Sequence, residues 1–150
     1  MPSTRSISRM AHFNRSPSEI WALITNFSDQ PSWRTDLTHI ERLPNRAGLE
    51  MWKETDRHGQ SLEIETVGKV PPQRLVRRIA NDNHPFSQTW TMEVAAYGEV
   101  TSLTITEENR INNPVFRFIS WLIMNQAATI DEYLCNLGKR IGTDVHITTG

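Results

Sequence analysis

The sequence predicts a two-layer α+β domain, an antiparallel sheet curled around one long helix. Three observations carry this. Between Asp36 and Glu107 the hydrophobic pattern has period two, and turn residues break it into five or six strand-like segments. After Asn113-Pro114 the period becomes helical for about 25 residues, roughly 37 Å at helical rise. A strand and a short helix precede the meander, and a one-faced sheet with one amphipathic helix buries its apolar surface only by packing the two together.

Taken in order, Ser6 to Phe13 reads as the first strand. In Ser16-Pro17-Ser18-Glu19 the serine can cap a helix, the proline suits its first position and the glutamate can close a capping box. Ile20, Leu23, Ile24 and Phe27 then share a helix face. Ser28 to Trp33, with Pro31, suggests a short second helical turn.

Two hairpins can be registered by asking which loop places apolar residues on one face. A three-residue loop Arg57-His58-Gly59 pairs Trp52 with Ile64 and Glu54 with Leu62, and sets Lys53 against Glu63 on the other face. A turn centred on Tyr97-Gly98 pairs Trp90 with Ile105, Met92 with Leu103 and Val94 with Thr101, leaving Thr91 against Thr104 outside. Between them, Leu75, Arg77 and Ile79 share one parity, so an arginine lies on the apolar side. On the last helix, ending near Gly138, an inner stripe runs through Val115, Ile119, Leu122, Ile123, Gln126, Ile130, Tyr133, Leu134 and Leu137.

The 150 residues suit one domain, expected over residues 1–142 with a tail at 143–150. A net charge of -1 offers no field for a polyanion, so nucleic acid is not an expected partner. The single cysteine, Cys135, forms no internal disulfide, and five scattered histidines supply no zinc spacing. No metal or cofactor is expected. Neither a signal-peptide pattern nor a membrane-length apolar run is present, which makes the cytoplasm the expected location and membrane insertion unexpected.

Long strands on one helix enclose a natural site for a small ligand. Trp52, Trp90, Met92, Leu103, Ile105, Ile119 and Ile123 would wall it, with Glu54, Arg77, Gln126 and Tyr133 as polar groups and Trp33 at its mouth. This composition suits an apolar or aromatic molecule held in one orientation, although tryptophans at strand spacing also serve as plain core. Glu54 and Arg77 are the candidate catalytic pair, a general base on a carbon acid and a stabiliser of its enolate. They stand two strands apart, so a structural ion pair, or no contact, are the alternatives. Glu107 and Glu108 read as a solvated strand end, and His84-Pro85 as part of a loop, Asn81 to Pro85, at the mouth. Outside the stripe, Phe118, Trp121 and Met124 form an apolar patch suited to a homodimer or a protein partner.

The order of Phe13-Asn14-Arg15-Ser16-Pro17-Ser18-Glu19-Ile20-Trp21, Pro31-Ser32-Trp33, Pro71-Pro72-Gln73-Arg74-Leu75-Val76, Thr89-Trp90-Thr91 and Asn113-Pro114-Val115-Phe116 resembles the START-like (SRPBCC, Bet v 1-like) superfamily, in its polyketide cyclase/dehydrase and lipid-transport branch. Gln88 departs from the glycine expected before Thr89-Trp90. The resemblance implies a helix-grip fold: a seven-stranded curved antiparallel sheet around the C-terminal helix, two short helices after the first strand, and a hydrophobic cavity. It implies no single activity. Binding of a small apolar, aromatic or lipid-like ligand is the leading expectation. A metal-free cyclase or dehydratase in the same cavity and an interaction module on the outer helix face are the alternatives.

Overall fold

Local chemistry sets the element ends in the computed structural model, which describes residues 3–80, 86–111, 116–142 and 145–149, the side chains of 3, 86, 111 and 116–126 excepted. Strand β1 (Ser3–Phe13) leads into α1 (Pro17–Thr25), whose first-turn amide at Glu19 donates to the Ser16 hydroxyl at 3.2 Å, with Pro17 in the first turn. The capping box is modified: the Ser16 hydroxyl itself donates to the Glu19 carboxylate at 3.2 Å. The expected second helical turn is a 3-10 turn over Phe27–Ser32.

The meander comprises β2 (Leu37–Arg46), β3 (Leu49–Asp56), β4 (Ser61–Val70), β5 (Arg74–Ile79), β6 (Phe86–Tyr97) and β7 (Val100–Ile111). Helix α2 (Phe116–Ile141) follows, and then β8 (Ile147–Thr149). All neighbours pair antiparallel in the order β2-β3-β4-β5-β6-β7-β1-β8. The sheet therefore has eight strands rather than seven. The added strand lies in the segment expected as a tail, where Ile147 to Thr149 pair with Ala11 to Arg9. At the other edge, β2 contains Pro44 and its ladder is interrupted between Leu37 and His39 and between Leu43 and Arg46.

The first hairpin has the expected register: Trp52 opposes Ile64, Glu54 opposes Leu62 and Lys53 opposes Glu63. Asp56 explains the turn, because its Oδ1 accepts from the amides of His58 and Gln60, each at 2.9 Å, while Gly59 takes a φ of +81°. The second hairpin corrects the sequence reading. Its loop is Gly98-Glu99, so Trp90 opposes Glu107, Met92 opposes Ile105, Val94 opposes Leu103 and Thr91 opposes Thr106. A Tyr97-Gly98 loop would put tyrosine where a two-residue hairpin turn needs a positive φ; the observed loop puts Gly98 there, at +63°. Partners shift by two residues, which preserves the faces but changes who meets whom.

Helix α2 packs across β1 and β7. Ile130, Leu134 and Leu137 are fully buried against a core that includes Ala11, Phe13, Ile20, Ile24, Leu103 and Ile105. The β2–β3 turn is less well matched. Ala47 and Gly48 both have positive φ, +51° and +78°, the mirror-image geometry that favours Asn-Gly over Ala-Gly. Ala47→Asn is therefore expected to stabilise the fold by about 0.5 to 1 kcal/mol. Urea unfolding would show a raised midpoint at constant slope; a lowered midpoint would contradict this turn geometry.

Candidate functional site

Strand parity brings charge inside. On β3, Trp52 and Glu54 share the inner face, and on β5 so do Leu75, Arg77 and Ile79, with Arg77 directly opposite Trp90 on β6. A backbone gap of about 9–10 Å separates β3 from β5. Two long side chains span it, and Arg77 Nη1 donates to Glu54 Oε2 at 2.9 Å. Their side chains are only 9% and 11% exposed, which makes this an interior ion pair rather than a rim contact.

A third charged group, which periodicity did not reveal, completes the set. Arg34 lies just beyond the 3-10 turn, with Nη1 3.6 Å from Glu54 Oε1. The same nitrogen donates to Gln30 Oε1 at 2.8 Å, while Gln30 Nε2 donates to the Ile24 carbonyl at 3.0 Å. Arg34 grips Asp36 with its other edge, Nε to Oδ1 at 3.2 Å and Nη2 to Oδ2 at 2.7 Å. The sequence signal was an arginine two residues before an aspartate in a loop, where no hydrophobic period exists to orient it. The segment is also tied to α2. Thr35 Oγ1 donates to Glu132 Oε2 at 2.6 Å, and Arg57 Nη1 in the β3–β4 turn donates to the same oxygen at 2.7 Å. That Arg57 hydrogen bond holds the Glu132 carboxyl below the usual range.

Burial and charge oppose each other at the centre. For Glu54 burial pushes the pKa up, but the Arg34 and Arg77 guanidiniums outweigh it and hold the carboxyl below its ordinary value. Burial likewise disfavours the charged form of Arg34, and Glu54 and Asp36 more than restore it, leaving the guanidinium pKa raised. Tyr133 differs: burial drives its phenol up, offset only in part by Arg34 and Arg77, so it stays protonated.

Aromatic rings surround these charges. Tyr133 is 2% exposed and meets both Trp33 and Trp90 edge-on, at centroid distances of 5.3 and 5.5 Å. The Arg34 guanidinium lies 5.1 Å from the Tyr133 ring centre, and that of Arg77 lies 4.2 Å from the ring centre of Phe27. Phe27 packs on Trp52 at 5.5 Å, and Arg42 covers the Trp52 ring at 5.6 Å. Met92, Leu103 and Ile105 are buried in the adjoining core. The side chains of Ile119, Ile123 and Gln126, and those of the patch Phe118, Trp121 and Met124, lie outside the described residues, as do residues 81–85 and Val115.

Glu107 is a correction to the reading of a solvated strand end. It is 1% exposed, because the two-residue shift sets it opposite Trp90, whose Nε1 donates to Glu107 Oε1 at 2.6 Å. Asn109 Nδ2 donates to Oε2 at 3.0 Å, and Gln88 Nε2 donates to Asn109 Oδ1 at 3.1 Å. Gln88 thus supports this polar ladder in place of a glycine.

Among the described residues, several buried donors have no hydrogen-bond partner: Trp33 Nε1, Trp52 Nε1, Tyr133 Oη, and Nε and Nη2 of Arg77. Each such group costs about 1–3 kcal/mol when left unmade. No group of three His, Cys, Asp or Glu side chains converges as metal ligands among the described residues. Also among them, no helix is long and apolar enough to cross a membrane. A surface groove of about 580 Å³, lined by residues including Arg15, Glu19, Gly98 and Thr101, shares no residue with this cluster.

Residues 4–141 match the family described as polyketide cyclase / dehydrase and lipid transport. The chain belongs to this family. Among solved structures, this member of the polyketide cyclase family is similar to the di-domain aromatase/cyclase StfQ from the steffimycin biosynthetic pathway, with a TM-score of 0.76 and 9% identity over 93% of this chain. It spans 52% of that protein's chain, about half its length. It is similar to norcoclaurine synthase from Thalictrum flavum in complex with dopamine and hydroxybenzaldehyde, with a TM-score of 0.72 and 11% identity over 93% of this chain and 87% of that one. A START superfamily protein from Mycobacterium smegmatis gives a TM-score of 0.69 at 15% identity, over 94% and 97% of the two chains. At these identities the likeness establishes the fold alone, a helix-grip arrangement of a curved antiparallel sheet around a C-terminal helix. No curated protein sequence matches the chain.

The buried trio generates a pH-dependent prediction. Glu54→Gln leaves two buried guanidiniums without their shared anion and is expected to cost about 3 kcal/mol at pH 7. Because the native Glu54 pKa lies below its unfolded value, its stabilisation is complete above about pH 4.3 and is lost as pH falls through the native pKa. Urea unfolding of both proteins at pH 7 and pH 3 should therefore show the gap narrowing in acid; a gap of constant size would refute this role for Glu54.

Proposed function

We propose that this polyketide cyclase family member binds a small aromatic or apolar molecule in its interior between sheet and α2, among Trp33, Trp52, Trp90 and Tyr133. The observation that carries this reading is the convergence of aromatic rings on Tyr133: Trp90 is held by Glu107, while Trp33 Nε1, Trp52 Nε1 and Tyr133 Oη have no acceptor among the described residues. Aromatic walls provide affinity for a flat apolar body, and a few unmatched donors fix its orientation. Glu54 and Arg77 then serve to shape and position the site. A general base operating near neutrality needs a pKa near the working pH, whereas Glu54 has both oxygens engaged and its pKa lowered.

The cyclase or dehydratase reading is supported by the aromatase/cyclase fold neighbours and by Tyr133, a buried phenol that burial keeps protonated, able to donate a hydrogen bond to a substrate carbonyl as charge develops on it. Titrating 2-naphthol into the protein while following tryptophan fluorescence tests the binding reading. Saturable quenching is expected, with amplitude reduced in Trp33→Phe and Trp90→Phe. Recovery of the ligand at unchanged mass would favour a carrier, loss of water from an offered polyketone would favour the enzyme, and absence of any saturable response would remove the site.

A further inference from the structure

Arg34 and Arg77 lie against the same carboxylate but use their guanidiniums differently. A guanidinium offers a side edge, Nε and Nη2, whose parallel hydrogens match the two oxygens of a carboxylate. In Arg34 that edge is filled, with Nε and Nη2 on the two oxygens of Asp36. Among the described residues, Arg77 uses only Nη1, on Glu54 Oε2, and the equivalent edge is buried without an acceptor. The arginine itself is 8% exposed, and the Phe27 ring, 4.2 Å away, covers its plane.

We propose that the Nε/Nη2 edge of Arg77 is the anchor for a ligand carboxylate, so that the bound molecule is an aromatic or apolar carboxylic acid. This inference rests on the interior site proposed above and names the chemical class it takes. The surrounding groups fit. Trp90 opposes Arg77 in register and meets Tyr133, which in turn meets Trp33, while Phe27 joins Arg77 to Trp52. Trp33 Nε1, Trp52 Nε1 and Tyr133 Oη add three more hydrogens without acceptors among the described residues. A carboxylate has about four lone-pair positions, enough for the arginine edge and two further donors. Glu54 keeps Nη1 and fixes the guanidinium so that the opposite edge is preset.

The test compares three probes of the same ring system, 2-naphthoate, 2-naphthamide and 2-naphthol, by calorimetry at pH 7. The amide keeps the shape and one carbonyl acceptor but loses the charge and the second acceptor oxygen. Naphthoate is expected to bind about 10- to 100-fold more tightly than naphthamide. Arg77→Lys keeps a cation beside Glu54 but has no paired edge, and should bring that preference close to one. Equal binding of all three probes to the wild-type protein would overturn the carboxylate anchor while leaving the aromatic site standing. A preference that survives in a folded Arg77→Lys protein would overturn the role of Arg77. Binding by none would overturn both the anchor and the site.

Discussion

A carboxylate withdrawn from water loses several kcal/mol of hydration unless cations and hydrogen bonds replace it. Glu54 receives Arg77 at 2.9 Å and Arg34 at 3.6 Å, so its burial is coupled to the placement of three separate stretches of chain. Strand β3 supplies the anion, β5 one cation, and the segment after the 3-10 turn the other. Arg34 in turn stacks near Tyr133 of α2, which extends the constraint across the layer boundary between sheet and helix. Buried ion pairs seldom exceed an apolar replacement in stability. Their effect here is geometric, since any displacement of β5 or of the Arg34 segment would leave a charge unmatched.

The same cluster shows why the interior is unfinished as pure core. Folded proteins pair nearly all of their buried polar groups, and this one pairs Glu54, Gln30 and Glu107 while leaving the indole hydrogens of Trp33 and Trp52, the Tyr133 phenol and one Arg77 edge without acceptors among the described residues. Among the described residues, each unmatched group around Arg77 carries a hydrogen to donate. An interior built only for stability would replace them with apolar side chains of similar volume, so the cost is characteristic of a site that stability alone did not shape.

How much the sequence disclosed depended on whether two local signals agreed. At the first hairpin, the polarity of both faces and the left-handed position wanted at Gly59 select one register, and the structure has it. At the second, a shift of two residues leaves every side chain on its own face, so alternation is blind to it; only the φ required at Gly98 distinguishes the alternatives. That shift concealed Glu107, the partner of Trp90. The meeting of Glu54 with Arg77 was legible as a possibility of parity, but Arg34 and Gln30 come from a segment without period, where side-chain direction is set by tertiary contacts. The strand at Ile147 to Thr149 was hidden for a related reason: three residues are too few to show alternation.

The two ends of the sheet are finished in different ways. On one side, the short β8 covers part of β1. On the other, β2 presents an outer row of backbone groups interrupted twice in its ladder, broken by Pro44, and carrying His39, Glu41, Arg42 and Arg46. Such an outer strand is a poor template for a second chain, because an incoming strand needs a straight, continuous donor–acceptor row and meets bends and charge instead. The irregularities of β2 thus resist stacking of molecules into fibrils, and they do so at the strand farthest along the sheet from β8, whose partner strand β1 carries the packing of α2.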